Sequence, residues 1–184
     1  MRKTTPRRRE YDAAAPGATK TRKDMQIGRA RHTAAMEIKE LGHLVLYVRN
    51  LQRSVAFYRD VLGWKQVVPD VPGMPASAFS SGRTHHELLL IEVGENAQPI
   101  PGGRRVGMYH FGLKVGDSDD DLRAALGRLE EAGVRVVGAS DHTVTHSLYI
   151  LDPDGNEIEL YVDTGVDWKA DPMAIMAPTR PLAL

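Results

Sequence analysis

Two segments whose histidines lie 67 residues apart constrain this 184-residue chain more than any other feature. Gly42-His43-Leu44-Val45-Leu46-Tyr47-Val48 and Tyr109-His110-Phe111-Gly112-Leu113-Lys114-Val115 both read as strands, and each carries histidine in its second place. A helix is expected after each. Asn50 caps the first, with Leu51, Val55, Tyr58 and Leu62 on one apolar stripe and Gly63 at its close. Ser118 with Asp121 forms a capping box, with Asp in place of the commoner Glu. It opens a helix that turns Leu122, Ala125, Leu126 and Leu129 inward and ends at Gly133. Strand-like runs follow at 76–80 and 87–93, then at 134–137, 147–151 and 157–162. The expected fold class is α+β, with two βαβββ modules at 38–100 and 106–165. About 60 residues are too few to complete a core alone, so the modules are expected to pair side by side.

Charge divides the chain differently. The totals cancel at 24 basic against 24 acidic residues, but residues 1–32 hold ten Lys and Arg against three acids. The arm is therefore +7 and the remainder −7. Residues 1–36 lack periodicity and are broken by Pro6, Pro16 and Gly17, so a disordered basic tail is expected there. It reads as a solvated extension or an upstream start, with Met25 and Met36 as candidate starts, and nucleic acid is not expected as a partner. No apolar run approaches the roughly 20 residues of a membrane helix, so no membrane partner is expected. Zero Cys rules out a disulfide scaffold, a zinc ribbon and a thiol nucleophile, and it fits a cytoplasmic protein. The folded domain is placed at 37–165, with 166–184 as a C-terminal tail on the surface or on a partner subunit.

Strand alternation puts His43, Val45 and Tyr47 on one side, and likewise Glu157, Glu159 and Tyr161. If the modules curl into a cupped, partly open β-barrel, His43, His110 and Glu159 converge as metal ligands. Two imidazoles and a carboxylate leave one face of an octahedral ion open, the arrangement suited to non-haem Fe(II); Mn(II) shares these ligand types.

The first strand with Ser54-Val55-Ala56-Phe57-Tyr58-Arg59-Asp60-Val61-Leu62-Gly63 resembles the opening module of the vicinal oxygen chelate superfamily. That group holds glyoxalases, extradiol dioxygenases, fosfomycin-resistance enzymes, epimerases and bleomycin-binding proteins. Asp152-Pro153-Asp154-Gly155-Asn156-Glu157-Ile158-Glu159-Leu160 resembles its closing strand, in which a Glu binds metal. The resemblance covers roughly 38–165. Glyoxalase-type members usually use four protein ligands. The helix-ending glycines lie 70 apart, and that offset carries Glu159 back to Leu89, which cannot bind metal; the 67 offset would reach Glu92 instead. The 70 offset is preferred because both glycines obey it, leaving three ligands.

Two further stretches resemble extradiol dioxygenases. In Arg83-Thr84-His85-His86-Glu87-Leu88-Leu89 the second histidine, His86, is implied as the active-site acid/base; the bland reading makes both histidines surface residues of an edge strand. Asp141-His142, Leu148-Tyr149, Asp152-Pro153 and Glu159 resemble the extradiol signature, implying that His142 and Tyr149 contact substrate hydroxyls. Ser140 departs from that signature, and His146 has no role in it. The resemblance thus implies an Fe(II)-dependent oxidoreductase that opens a small aromatic diol with O₂ and pairs as a homo-oligomer. The alternatives are a glyoxalase-like lyase, a thiol transferase, an epimerase or a drug-binding resistance protein. Pocket walls are expected from residues without a motif, such as Met74, Phe79 and Trp168.

Overall fold

Asn50 and Ser118 start the two helices as their side chains dictate. In the computed structural model, which describes residues 36–69 and 71–184, Asn50 Oδ1 accepts from the Arg53 N–H at 2.9 Å. This opens α1 (Leu51–Ala56), which runs on as a π-helical turn over Phe57–Val61. The wider turn brings neighbouring Phe57 and Tyr58 both into the interior. α2 (Asp119–Glu131) carries the complete Ser118–Asp121 capping box. Gly63 and Gly133 follow the helical stretches at φ +72° and +67°, the left-handed conformation that glycine adopts without a Cβ penalty. The expected basic tail, 1–36, lies outside the described residues except for Met36.

The first module supplies β1 (Leu44–Val48), β2 (Gln66–Val68), β3 (Ala76–Phe79) and β4 (Leu88–Glu92), in the order β1-β4-β3-β2. The three-residue β2 carries too little pattern to be read from the sequence. The second module supplies β5 (His110–Gly116), β6 (Val136–Asp141), β7 (Thr145–Leu151) and β8 (Glu157–Asp163). Its order is β5-β8-β7-β6, extended by a two-residue β9 (Arg180–Pro181) on the β6 edge. In each module the first strand runs parallel to the last, with the helix as crossover.

The two modules share one core. Leu46, Val48, Val55, Tyr58, Phe79, Leu88 and Leu90 meet Leu122, Leu129, Leu148, Ile150, Ile158 and Val162 in one apolar cluster. Residues Glu40–Leu184 form one compact unit. Phe79, expected in a pocket wall, is fully buried against Tyr58 and Trp64, whereas Met74 and Trp168 are exposed.

The α+β class and the two modules are as expected from the sequence, and the described residues form no closed barrel. The modules form two separate sheets, because they join through buried faces and helices while β1 and β5 each end their sheets unpaired among the described residues. The C-terminal tail folds back on its own chain: β9 pairs with β6, and Leu182 and Leu184 pack on the core. No helix among the described residues is long and apolar enough to cross a membrane.

Candidate functional site

Glu159 on β8 is flanked in register by Gly112 of β5 and Tyr149 of β7. A Cβ on Gly112 would lie 3.3 Å from the Tyr161 ring and 3.7 Å from Glu159 Oε2. The bare backbone therefore leaves the Tyr161 ring its place, and His110 stands two residues earlier on the same strand. His110 Nε2 lies 3.3 Å from Glu159 Oε2. Its Nδ1 is buried without a hydrogen-bond partner, the nearest carboxylate oxygen, on Glu157, being 3.6 Å away.

The other oxygen of Glu159 faces β7. Oε1 accepts from the Ser147 hydroxyl at 2.6 Å and from the Tyr149 hydroxyl at 3.3 Å. Alternation explains the set: Leu148 and Ile150 enter the core, so Ser147 and Tyr149 point to the opposite face with Glu159. His142, in the turn after β6, places Nε2 2.6 Å from the Tyr149 hydroxyl. The Tyr149 ring meets His110 edge-on at 5.5 Å between centroids. Burial, then the negative charge of Glu159, pushes the Tyr149 phenol well above its ordinary range, so it remains a proton donor.

The first module builds a separate cluster. The ring centroids of His43 and His86 are 4.5 Å apart, and those of His86 and His85 are 4.4 Å apart. Burial, then repulsion from His85 and His43, holds the His86 pKa below the usual histidine value. His85 and His86 precede β4 in a loop rather than lying within an edge strand.

His110, Glu159, Tyr149 and His142 are thus brought together, and His43 and His86 are brought to each other. Among the described residues, however, no three His, Cys, Asp or Glu side chains gather closely enough to hold a metal ion. A cavity of about 980 Å³, lined by Trp64, Ser80 and Glu87 from one module and Lys114, Asp121 and Tyr161 from the other, includes none of these six residues.

The strand registers align the two modules residue by residue. Gly112 pairs with Glu159 as Val45 pairs with Leu89, so Leu89 is the first-module counterpart of Glu159. Glu92 is engaged elsewhere: its Oε2 accepts from the Leu51 N–H at 2.7 Å, at the N-terminus of α1. Sequence reasoning missed three groups. His146, given no role, holds Asp119 of α2 at 2.7 Å. Asp152 accepts from the Tyr58 hydroxyl and from Asn156, organising the turn before β8. The Asp-Pro-Asp-Gly-Asn run carried that turn signal. Thr179 reaches His142 from the C-terminal segment, and no motif marked it.

The profile of the Glyoxalase/Bleomycin resistance protein/Dioxygenase superfamily matches residues 40–160. The chain belongs to this superfamily. It is 36% identical over 131 residues to the catechol-2,3-dioxygenase of Bacillus subtilis (strain 168), covering 71% of this chain and 44% of that one. It is 32% identical over 123 residues to biphenyl-2,3-diol 1,2-dioxygenase 3 of Rhodococcus globerulus, covering 67% and 63%. The chain therefore spans less than two thirds of either dioxygenase. The crystal structure of lactoylglutathione lyase from Agrobacterium tumefaciens superposes with a TM-score of 0.53 at 30% identity, covering 68% of this chain and 95% of that one.

Proposed function

We propose that this protein is an Fe(II)-dependent extradiol dioxygenase that opens the ring of a small aromatic diol with O₂ and retains both oxygen atoms in the product. One observation carries the reading: the His142–Tyr149–Glu159 contacts stand beside His110, in a chain whose relatives include two diol-cleaving dioxygenases. The residues fit a cation. His110 Nε2 lies 3.3 Å from one Glu159 oxygen while the other is held by Ser147, and His110 Nδ1 is buried without a partner.

His110, Glu159 and His43 would hold the metal. Bound Fe(II) or, with the same ligand types, Mn(II) would bring diol and O₂ together on its open face. Tyr149 and His142 would hydrogen-bond the diol oxygens and orient the ring. His86, beside His43, would accept and return a proton as the acid/base of the reaction.

His43 would come to His110 and Glu159 from a second copy of the chain. Three features support this: His43 lies apart from that pair within one chain, β1 and β5 are open edges, and Val45 and Tyr47 beside His43 are 43% and 71% exposed. A metal-dependent lyase is the second reading, favoured by the 95% coverage of the lyase chain; Leu89 opposes it, since it removes the fourth ligand.

The test is loading with Fe(II) under anaerobic conditions, then adding catechol or 2,3-dihydroxybiphenyl in air. The expected result is O₂ uptake with a coloured ring-opened product, lost in His110→Ala and reduced about 10²–10⁴-fold in His86→Ala. Bound iron with no O₂ uptake on any diol would overturn the reading, and turnover of a glutathione hemithioacetal would favour the lyase.

A further inference from the structure

Hydrogen-bond direction around Glu159 leads outward to the C-terminal segment. An ionised carboxylate only accepts, so Ser147 and Tyr149 both donate to Oε1. The single phenolic proton of Tyr149 is then committed to Glu159, and its oxygen presents a lone pair to His142. The 2.6 Å contact between that oxygen and His142 Nε2 requires the proton to sit on Nε2. In a neutral ring Nδ1 is then a bare acceptor. Its partner is the Thr179 hydroxyl, 3.2 Å away.

The segment carrying Thr179 is anchored immediately after that contact. β9 pairs Arg180 with Asp141 and Pro181 with Ser140. The Arg180 guanidinium lies 3.3 Å from Asp141 and donates to the Thr143 hydroxyl at 3.3 Å. Thr143, next to His142, is the one described non-glycine residue with positive φ, at +72°. That conformation is costly for a β-branched residue. It is held by Asp141, which accepts from the Thr143 N–H at 2.7 Å, and by Thr164, which donates to its carbonyl at 2.6 Å. The turn is therefore fixed from several directions, and the C-terminal strand supplies one of them.

We propose that Thr179 is a positioning residue that donates to His142 Nδ1 and so fixes His142 as the Nε2–H tautomer. The chain of donors then runs one way, from Thr179 through His142 and Tyr149 to Glu159. The tautomer rests on the hydrogen bonds to an ionised Glu159; its catalytic consequence rests on the dioxygenase reading. With its one N–H on Nε2, His142 is the donor that holds the Tyr149 hydroxyl in place and is unsuited to taking a proton there. The tail that looked like a surface appendage would then be part of the site's construction.

The experiment is long-range ¹H–¹⁵N correlation NMR of the full chain labelled at histidine nitrogens, at neutral pH, with His142 assigned through His142→Gln. The wild type is expected to show protonated Nε2 and bare Nδ1. Thr179→Val, near-isosteric and on an exposed position, is expected to admit the Nδ1–H form, and Thr179→Ser to restore the wild-type pattern. A tail that only packs against the sheet would leave the tautomer unchanged in Thr179→Val, and that result would overturn the proposal. So would a wild-type His142 protonated at Nδ1, alone or together with Nε2. In the diol assay Thr179→Val is expected to lower kcat about tenfold with KM little changed. A tautomer shift in a protein without diol-cleaving activity would support the positioning role while overturning the dioxygenase reading.

Discussion

Glu87, the counterpart of Glu157 in the first module, shows how a single side chain here couples to pH. Burial alone would raise its pKa. The hydroxyl and backbone N–H of Ser81 and the guanidinium of Arg83 donate to it and outweigh burial, so its pKa is lowered. A carboxyl with a depressed folded pKa stabilises the fold above its unfolded value, and the contribution is lost as pH falls through the folded one. Glu87→Gln should therefore be less stable than wild type by about 1–3 kcal/mol at neutral pH. The gap should close as pH drops below the ordinary carboxyl range, and urea unfolding across a pH series measures it. A gap independent of pH would mean that the lost contacts are not electrostatic. At this scale the sequence was partly legible. His110, Glu159, Tyr149 and His142 stand at repeat or motif positions, whereas Thr179 is a lone threonine whose importance depends on what it faces.

Elements meet where Tyr58, on the π-helical turn after α1, reaches the turn between β7 and β8. Its hydroxyl donates to the buried Asp152 at 2.9 Å, and Asp152 also accepts from the Asp154 and Asn156 N–H groups and the Asn156 side chain. Asp154 continues the junction with Arg49 and Arg53. The first helix thus sets the turn that launches β8 and with it Glu159. Tyr58→Phe should cost about 1.5–3 kcal/mol in denaturant unfolding, because it removes a donor to a buried charge and leaves the ring packed. A loss near zero would mean that water replaces the hydroxyl. Both helices and most strands could be read from capping residues and periodicity. The π-helical turn could not, because the stripe Leu51, Val55, Tyr58, Leu62 is also compatible with a regular helix. Neither could β9, whose two residues are held by pairing and an ion pair rather than by an intrinsic pattern.

On the scale of the whole molecule, one chain holds two side-chain clusters: His43 with His86, and His110 with Glu159, Tyr149 and His142. If a second copy joins them, His43→Ala and His110→Ala should each be inactive alone. Mixing the unfolded variants and refolding them together should restore about a quarter of wild-type activity, since half of random dimers are mixed and each has one intact site. Activity that never returns, from a mixture shown to contain mixed dimers, would place all ligands within one chain. The sequence by itself determined the repeated modules, their helix boundaries and the residue types able to bind a cation, because capping, alternation and repeat offset are local properties of the chain. The offset of 70 that pairs Leu89 with Glu159 agrees with the strand registers, which set Leu89 opposite Val45 as Glu159 stands opposite Gly112. Only the tertiary structure decided that the modules share a core while forming separate sheets, and that the C-terminal strand returns to touch His142. Those outcomes depend on which buried faces fit one another across long stretches of chain, and no local pattern encodes that fit.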